Sequence, residues 1–320
     1  MRAALLAAAV LCCAPLLSAG HTDACLYITQ HGSSDPSDPH NAVTVQPLGA
    51  GAPPRSPAPL AASASSAILE PRGLAVGPSG AVLVASAAVG AGSIVSLSEC
   101  HGFRVGPSGV FAGGKGLSHP YGVAAGRGGE RVFVTNQDTG ELTSYGPGGS
   151  YGGTVYDFGD REDKVRGVAA DGEGLLFVAV ERHGRVQALT EAGEEVVRWD
   201  VESPVGVLWD AASRTLFVGS NDGGRSKVTR FAGGVLGGSS ERGHPQAPKA
   251  VAEYRHATLT HPAGLALSSG GASLYVVAQD VGAVLEFDTE GGELIRDDVA
   301  TGLARPEGIL LAGCERGEEG

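Results

Sequence analysis

Pro71-Arg72-Gly73-Leu74-Ala75-Val76 is a short phrase: proline, any residue, glycine, then three aliphatic or small residues. The chain repeats it at Pro120-Tyr121-Gly122-Val123-Ala124-Ala125 and at Pro204-Val205-Gly206-Val207-Leu208-Trp209. Further copies stand at Pro262-Ala263-Gly264-Leu265-Ala266-Leu267 and Pro306-Glu307-Gly308-Ile309-Leu310-Leu311. A variant without proline is Val165-Arg166-Gly167-Val168-Ala169-Ala170. The starts lie 49, 45, 39, 58 and 44 residues apart. That period exceeds an ankyrin or leucine-rich unit and suits a blade of a propeller.

A second apolar run follows each of the first five phrases, as in Val82-Leu83-Val84-Ala85, Arg131-Val132-Phe133-Val134-Thr135 and Leu175-Leu176-Phe177-Val178-Ala179. After a polar turn comes a third run with period-two alternation, clearest in Val284-Leu285-Glu286-Phe287-Asp288. A more polar fourth run, such as Glu195-Val196-Val197-Arg198-Trp199, completes the unit. β-Branched and aromatic content with turn punctuation favours strands over helices. A lone four-stranded sheet leaves both faces wet, and radial stacking buries them against neighbours. The expected fold is all-β: a six-bladed propeller with four-stranded antiparallel blades.

The sixth phrase, at Pro306, is followed by almost no chain, since the sequence stops at Gly320. The missing strands are expected at the other end: Leu26-Tyr27-Ile28-Thr29 as the second, Ala42-Val43-Thr44-Val45-Gln46-Pro47-Leu48 as the third, Ala67-Ile68-Leu69 as the fourth. This closure places Cys314 just past the C-terminal strand and Cys25 just before its partner, so a Cys25–Cys314 disulfide is expected. Cys100 is then the odd thiol.

Met1-Arg2 and the apolar run from Ala3 to Leu17, followed by Ser18-Ala19-Gly20, have the layout of a signal peptide over 1–20. The run is too short to span a bilayer, and no later segment reaches ~18 apolar residues, so no membrane insertion is expected. A single domain is expected over 21–320, secreted and monomeric, in an oxidising compartment. The segments 49–66 and 233–249, rich in Gly, Ala, Pro and Ser, read as flexible, exposed insertions. With 35 acidic and 23 basic residues the net charge is −12, without a basic stripe. Nucleic acid is therefore not an expected partner.

The phrase with its strand-turn-strand resembles the NHL repeat, most clearly from Leu274-Tyr275-Val276-Val277-Ala278-Gln279-Asp280 through Val284-Leu285-Glu286-Phe287-Asp288. Two enzyme families on related six-bladed propellers define what to look for. The resemblance to the amidating lyase implies zinc on three histidines just after the phrase proline. Those positions here are Arg72, Tyr121, Arg166, Val205, Ala263 and Glu307, none a histidine; His119 and His261 stand before the proline. The gluconolactonase-like group implies a Glu, an Asn and an Asp around a divalent metal, types that Glu70, Asn136, Asn221, Asp222 and Asp280 supply, though without that group's flanking signatures.

First strands start and second strands end on one face, so these residues should converge on the mouth of the central channel. Strand starts contribute Arg72, His119, Tyr121, Arg166, His261 and Glu307. Strand ends contribute Gln30, His31, Asn136, Asp138 and Glu181, with Asn221, Asp222 and Asp280 as the oxygen ligands for a metal. Arginine forks suit a carboxylate, and the oxygen donors suit calcium or another divalent cation. Asn and Asp in such turns equally serve their own backbone. Two readings follow: a non-catalytic scaffold that binds a protein, peptide or glycan through its loop faces, or a metal-dependent, lactonase-like hydrolase or lyase acting at the mouth.

Overall fold

The computed structural model describes residues 22–48, 68–98, 100, 107–159, 164–237 and 245–315. Among them are five four-stranded antiparallel sheets and one three-stranded sheet, each strand following its neighbour in chain order except at the closure. The innermost strand of each sheet is the repeated phrase. Numbered along the chain, these inner strands are Pro71–Val76, Pro120–Ala125, Val165–Ala170, Pro204–Asp210 and Pro262–Leu267 for blades 1 to 5. Pro306–Glu315 is the inner strand of blade 6. Its second strand is Thr22–Gln30, paired antiparallel with Leu26 opposite Leu311 and Ile28 opposite Ile309. Ala42–Pro47 is the third. The two ends of the chain therefore meet in one sheet, tied further by the Tyr27 hydroxyl donating to Gly313 O at 3.2 Å.

The second strands are buried throughout because each serves two interfaces. Val82 and Val84 pack with Cys25, Tyr27 and Val45 of blade 6, whereas Leu83 and Ala85 pack with Val123, Val132 and Val134 of blade 2. Phe133 turns the other way, toward Leu176 and Val178 of blade 3. The alternation continues through Phe177, Phe217 and Tyr275, giving six apolar clusters for six blade junctions. Side chains of period two thus fill both sides of every sheet, and no polar face is left to interrupt the apolar run.

The inner strands approach one another through glycine. A Cβ on Gly73 would meet Tyr121 O at 2.5 Å, one on Gly122 would meet Arg166 O at 2.9 Å, and one on Gly167 would meet Val205 O at 2.7 Å. Gly264 stands at 2.5 Å from Glu307 O in the same sense, and Gly206 and Gly308 press likewise on the carbonyls of Ala263 and Arg72. Each blade's glycine receives the next blade's carbonyl, around a closed circle.

Three expectations need correction. Ile68 and Leu69 do not form a fourth strand of blade 6; Ala67 lies outside the described residues. Ile68 is buried in the junction of blades 6 and 1, and the backbone of Leu69 bonds to Ser86 and Ala87 of blade 1 instead of to the third strand. The Cys25–Cys314 staple is not formed. The register sets Cys25 against Ala312 and Cys314 against Asp23, Cys25 is buried, and Cys100 is disulfide-bonded. Within 233–249, residues Gly234–Gly237 make a 3-10 turn, Leu236 is buried, and Lys249–Tyr254 is a strand. Residues 1–20 and 49–66, and 238–244 of the second insertion, lie outside the described residues.

Gly264→Ala is expected to destabilise the chain by about 1–3 kcal/mol in urea unfolding, because backbone must move to admit the methyl group. Gly148→Ala, whose Cβ would meet nothing within 4 Å, should stay within about 0.5 kcal/mol of the parent.

Candidate functional site at the channel mouth

The second residue of each phrase follows the strand start into the channel. Four of these six are polar, and all four are buried: Arg72, Tyr121, Arg166 and Glu307. Val205 and Ala263 complete the circle. The ring is therefore polarised, with its polar side chains on four consecutive inner strands across the closure and its apolar ones on the other two.

The polar half is wired together. Arg72 pairs with Glu307 across the seam where blade 6 meets blade 1, through Nη1 and Oε1. The Tyr121 hydroxyl donates to Glu307 Oε2 at 2.7 Å. The guanidinium of Arg166 lies 4.9 Å from the Tyr121 ring centroid and that of Arg72 lies 5.9 Å from it, so the ring is flanked by two cations. Arg166 Nε donates to Glu181 Oε2 at 2.6 Å, and its Nη1 donates to Gln137 Oε1 at 3.3 Å. Two arginines are balanced by two glutamates. Burial alone would raise the Glu307 pKa, but Arg72, the Tyr121 hydroxyl and Arg166 together hold it below the usual carboxylate range. Burial, and then Glu307, push the Tyr121 hydroxyl well above its ordinary value, so it stays a proton donor.

A second tier lies outward. Five of the six phrases open on proline, and the residue before each has a left-handed backbone: Glu70, His119, Ser203, His261 and Arg305, with φ of 48°, 52°, 41°, 43° and 43°. Such φ values cost about 1–3 kcal/mol each in a non-glycine residue. Their recurrence in step with the proline shows that the blade geometry imposes them. This turn presents the side chains that the sequence placed before the proline. His119 Nε2 lies 3.0 Å from Arg72 Nη2 and its Nδ1 lies 3.4 Å from Asp138 Oδ1. A neutral ring accepting from the guanidinium at Nε2 carries its proton on Nδ1, facing the carboxylate. His261 Nδ1 stands 3.9 Å from Asp280 Oδ1. His31 Nδ1 is 2.5 Å from Arg305 Nη2, and its Nε2 is 3.7 Å from Glu70 Oε2. Burial and the charge of Arg72 lower His31 to about 4, and the same two causes lower His119.

Along all six inner strands the channel encloses a cavity of about 320 Å³. Tyr121 and Glu307 line it together with small and aliphatic residues of the phrase, such as Ala75, Val123, Val168 and Leu310, and with Trp209.

The mouth thus gathers Arg72, His119, Tyr121, Arg166 and Glu307, with His31, Asp138 and Glu181 beside them; His261 and Asp280 pair at blade 5. Gln30 turns away, its Oε1 accepting the Ala304 N–H at 2.7 Å. Asn136 does not face the mouth. It is fully buried, its Oδ1 accepts the Ser118 N–H at 3.0 Å, and its Nδ2 donates to Thr143 at 2.9 Å. The residues named for a metal each have partners within the chain. Asp222 pairs with Arg225 at 3.1 Å and Asn221 accepts from Ser226, so both serve the turn before the strand Lys227–Ala232. No group of three or more His, Cys, Asp or Glu able to hold a metal occurs among the described residues. Gln137 and Arg305 were missed, although Arg305 occupies the same pre-proline place as His119 and His261 and was legible on that ground.

No protein-family model matches the chain, and no curated protein matches it in sequence. Solved structures match in fold. The "Nidogen/Laminin Complex" structure aligns with a TM-score of 0.63 at 16% identity, covering 90% of this chain and 98% of that one. The periplasmic gluconolactonase of Pseudomonas aeruginosa aligns with a TM-score of 0.59 at 14% identity, covering 90% and 99%. Virginiamycin B lyase of Staphylococcus aureus follows with a TM-score of 0.55 at 13% identity, covering 86% and 85%. These likenesses establish the six-bladed propeller.

His31 makes stability depend on pH with a definite sign. Its pKa falls from an ordinary 6.5 to about 4 on folding, so between those values the unfolded chain binds the extra proton and stability declines as pH falls. Chemical unfolding from pH 7 down to pH 4 should show that decline, and His31→Gln should flatten it, leaving the part that His119 contributes. Glu307 acts lower on the scale: its depressed pKa gives stability that is present above the ordinary glutamate range and lost as pH falls below it.

Proposed function

We propose that the chain is a secreted recognition module that binds a protein, peptide or glycan at the mouth of its propeller. One observation carries this reading: the buried charges of the ring are already matched within the chain. Glu307 is engaged by Arg72 and Tyr121, and Arg166 by Glu181. A general acid or base needs reach to its substrate, and these groups face one another. The outer tier is open by contrast, with the Asp138 and Asp280 side chains 51% and 61% exposed. Carboxylates backed by imidazoles on a rigid rim suit partners rich in N–H and O–H donors. The disulfide at Cys100 fits the oxidising route expected from the N-terminal segment.

A second reading, a lactonase-like hydrolase or lyase, is favoured by the two imidazole–carboxylate pairs, His119 with Asp138 and His261 with Asp280. It agrees with the gluconolactonase and the lyase among the fold neighbours. On this reading the imidazoles would carry the proton transfers.

Two assays on the purified full chain separate the readings. Binding to glycan and peptide arrays is expected to survive EDTA and to weaken about tenfold or more in the Asp138→Ala, Asp280→Ala double variant, on the scale of two lost charge-assisted hydrogen bonds. Turnover of a lactone panel that His119→Ala abolishes would establish the second reading instead.

A further inference from the structure

The ends of the second strands differ between blades in one chemically sharp respect. The registers pair the first residue of each phrase with Ser86, Asn136, Val180, Ser220, Ala278 and Gln30. The residue just before each of these abuts the inner strand of the next blade. Those residues are Ala85, Thr135, Ala179, Gly219, Val277 and Thr29. Two of the six bear a hydroxyl.

Both hydroxyls are fully buried and make the same pair of bonds. Thr29 Oγ1 accepts the N–H of Gly308 in its own blade at 2.7 Å and donates to Arg72 O in the next blade at 2.7 Å. Thr135 Oγ1 accepts the N–H of Gly122 at 2.8 Å and donates to Arg166 O at 2.6 Å. In the blades that follow the other four positions, the second residues of the phrase are Tyr121, Val205, Ala263 and Glu307. Hydroxyls therefore stand where the following phrase carries arginine, and at neither of the apolar positions.

The physics gives the coincidence a reason. A guanidinium on a long stem has many conformations, and burying it demands that its charge meet its partner. A hydroxyl clamped between two blades fixes the peptide plane from which the arginine springs. Tyr121 and Glu307 need no such clamp, since they bond to each other and their shorter side chains have fewer conformations to lose.

We propose that Thr29 and Thr135 are positioning residues that set Arg72 and Arg166 on either side of Tyr121. Their importance for recognition rests on the mouth being the binding face, but their effect on the arginines is measurable without any ligand. Arg72 Nε is buried with no hydrogen-bond partner, so its proton reports directly on placement.

The test is NMR of the arginine Nε–H groups in the 15N-labelled full chain, with Arg72→Lys and Arg166→Lys assigning the two signals. Thr29→Val should shift the Arg72 resonance and speed its solvent exchange about tenfold, the scale of one hydrogen bond, while Arg166 stays in place. Thr135→Val should do the converse. Thr29→Ser and Thr135→Ser keep the hydroxyl and should keep the parent signals, which guards against variants that merely unfold. The proposal falls if either valine variant leaves its own arginine unmoved or moves both alike, or if the serine variants shift the arginines as valine does. Array binding reads out separately. Its absence in a parent chain whose arginine signals obey the pattern removes the recognition reading and leaves the positioning role standing.

Discussion

Six carbonyl groups lie so close to six glycines that no side chain fits between them. This contact sets the diameter of the ring. With a Cβ at these positions the inner strands would stand further apart, and the side chains at the second phrase position would no longer reach one another. Tyr121 of blade 2 touches Glu307 of blade 6 only because blade 1, which lies between them, presents Gly73 to one neighbour and receives Gly308 from the other. The polar site is in this sense a product of steric crowding several ångströms from its charges.

The seam shows how the same crowding combines with electrostatics. Arg72 and Glu307 belong to opposite ends of the chain and are both buried. Ion pairs taken out of water contribute little net stability, but removing one partner leaves a charge stranded and costs about 3–5 kcal/mol. Their strength therefore lies in discrimination: a ring closed with blade 6 out of register would bury Glu307 without Arg72. Hydrophobic packing at the seam, where Cys25, Tyr27 and Val45 meet Val82 and Val84, rewards closure in general. The ion pair rewards this closure.

The architecture was legible because both of its causes are written locally. The Pro-x-Gly phrase marks each inner strand, and uninterrupted apolar second strands announce sheets buried on both sides. The closure was legible from the strands missing at Pro306. What failed depended on contacts that no local pattern records. Asn136 resembles its neighbours in a mouth-facing turn, yet its amide lies under Ser118. Cys25 lies near Cys314 in the sheet, but a shift of two residues in register separates the pair, and nothing in the spacing of Cys100 announced its bond. At the mouth, residue types were readable, while the mutual neutralisation of Arg72, Arg166, Glu181 and Glu307 required distances. Thr29 and Thr135 were quoted as ends of strands without any hint of a role, since their meaning appears only beside the arginines of the following blade.

Joining the two ends in one sheet also orders events in time. Thr22–Gln30 is made before its partner Pro306–Glu315, with the other five blades between them. Until then the N-terminal hairpin exposes an unpaired edge, a surface prone to aberrant pairing, and the incomplete circle presents an open flank at blade 5. Blade 6 cannot be completed before Pro306–Glu315 is made, whereas a linear array can fold repeat by repeat. Loss of Pro306–Glu315 would therefore open the ring by leaving blade 6 without its inner strand.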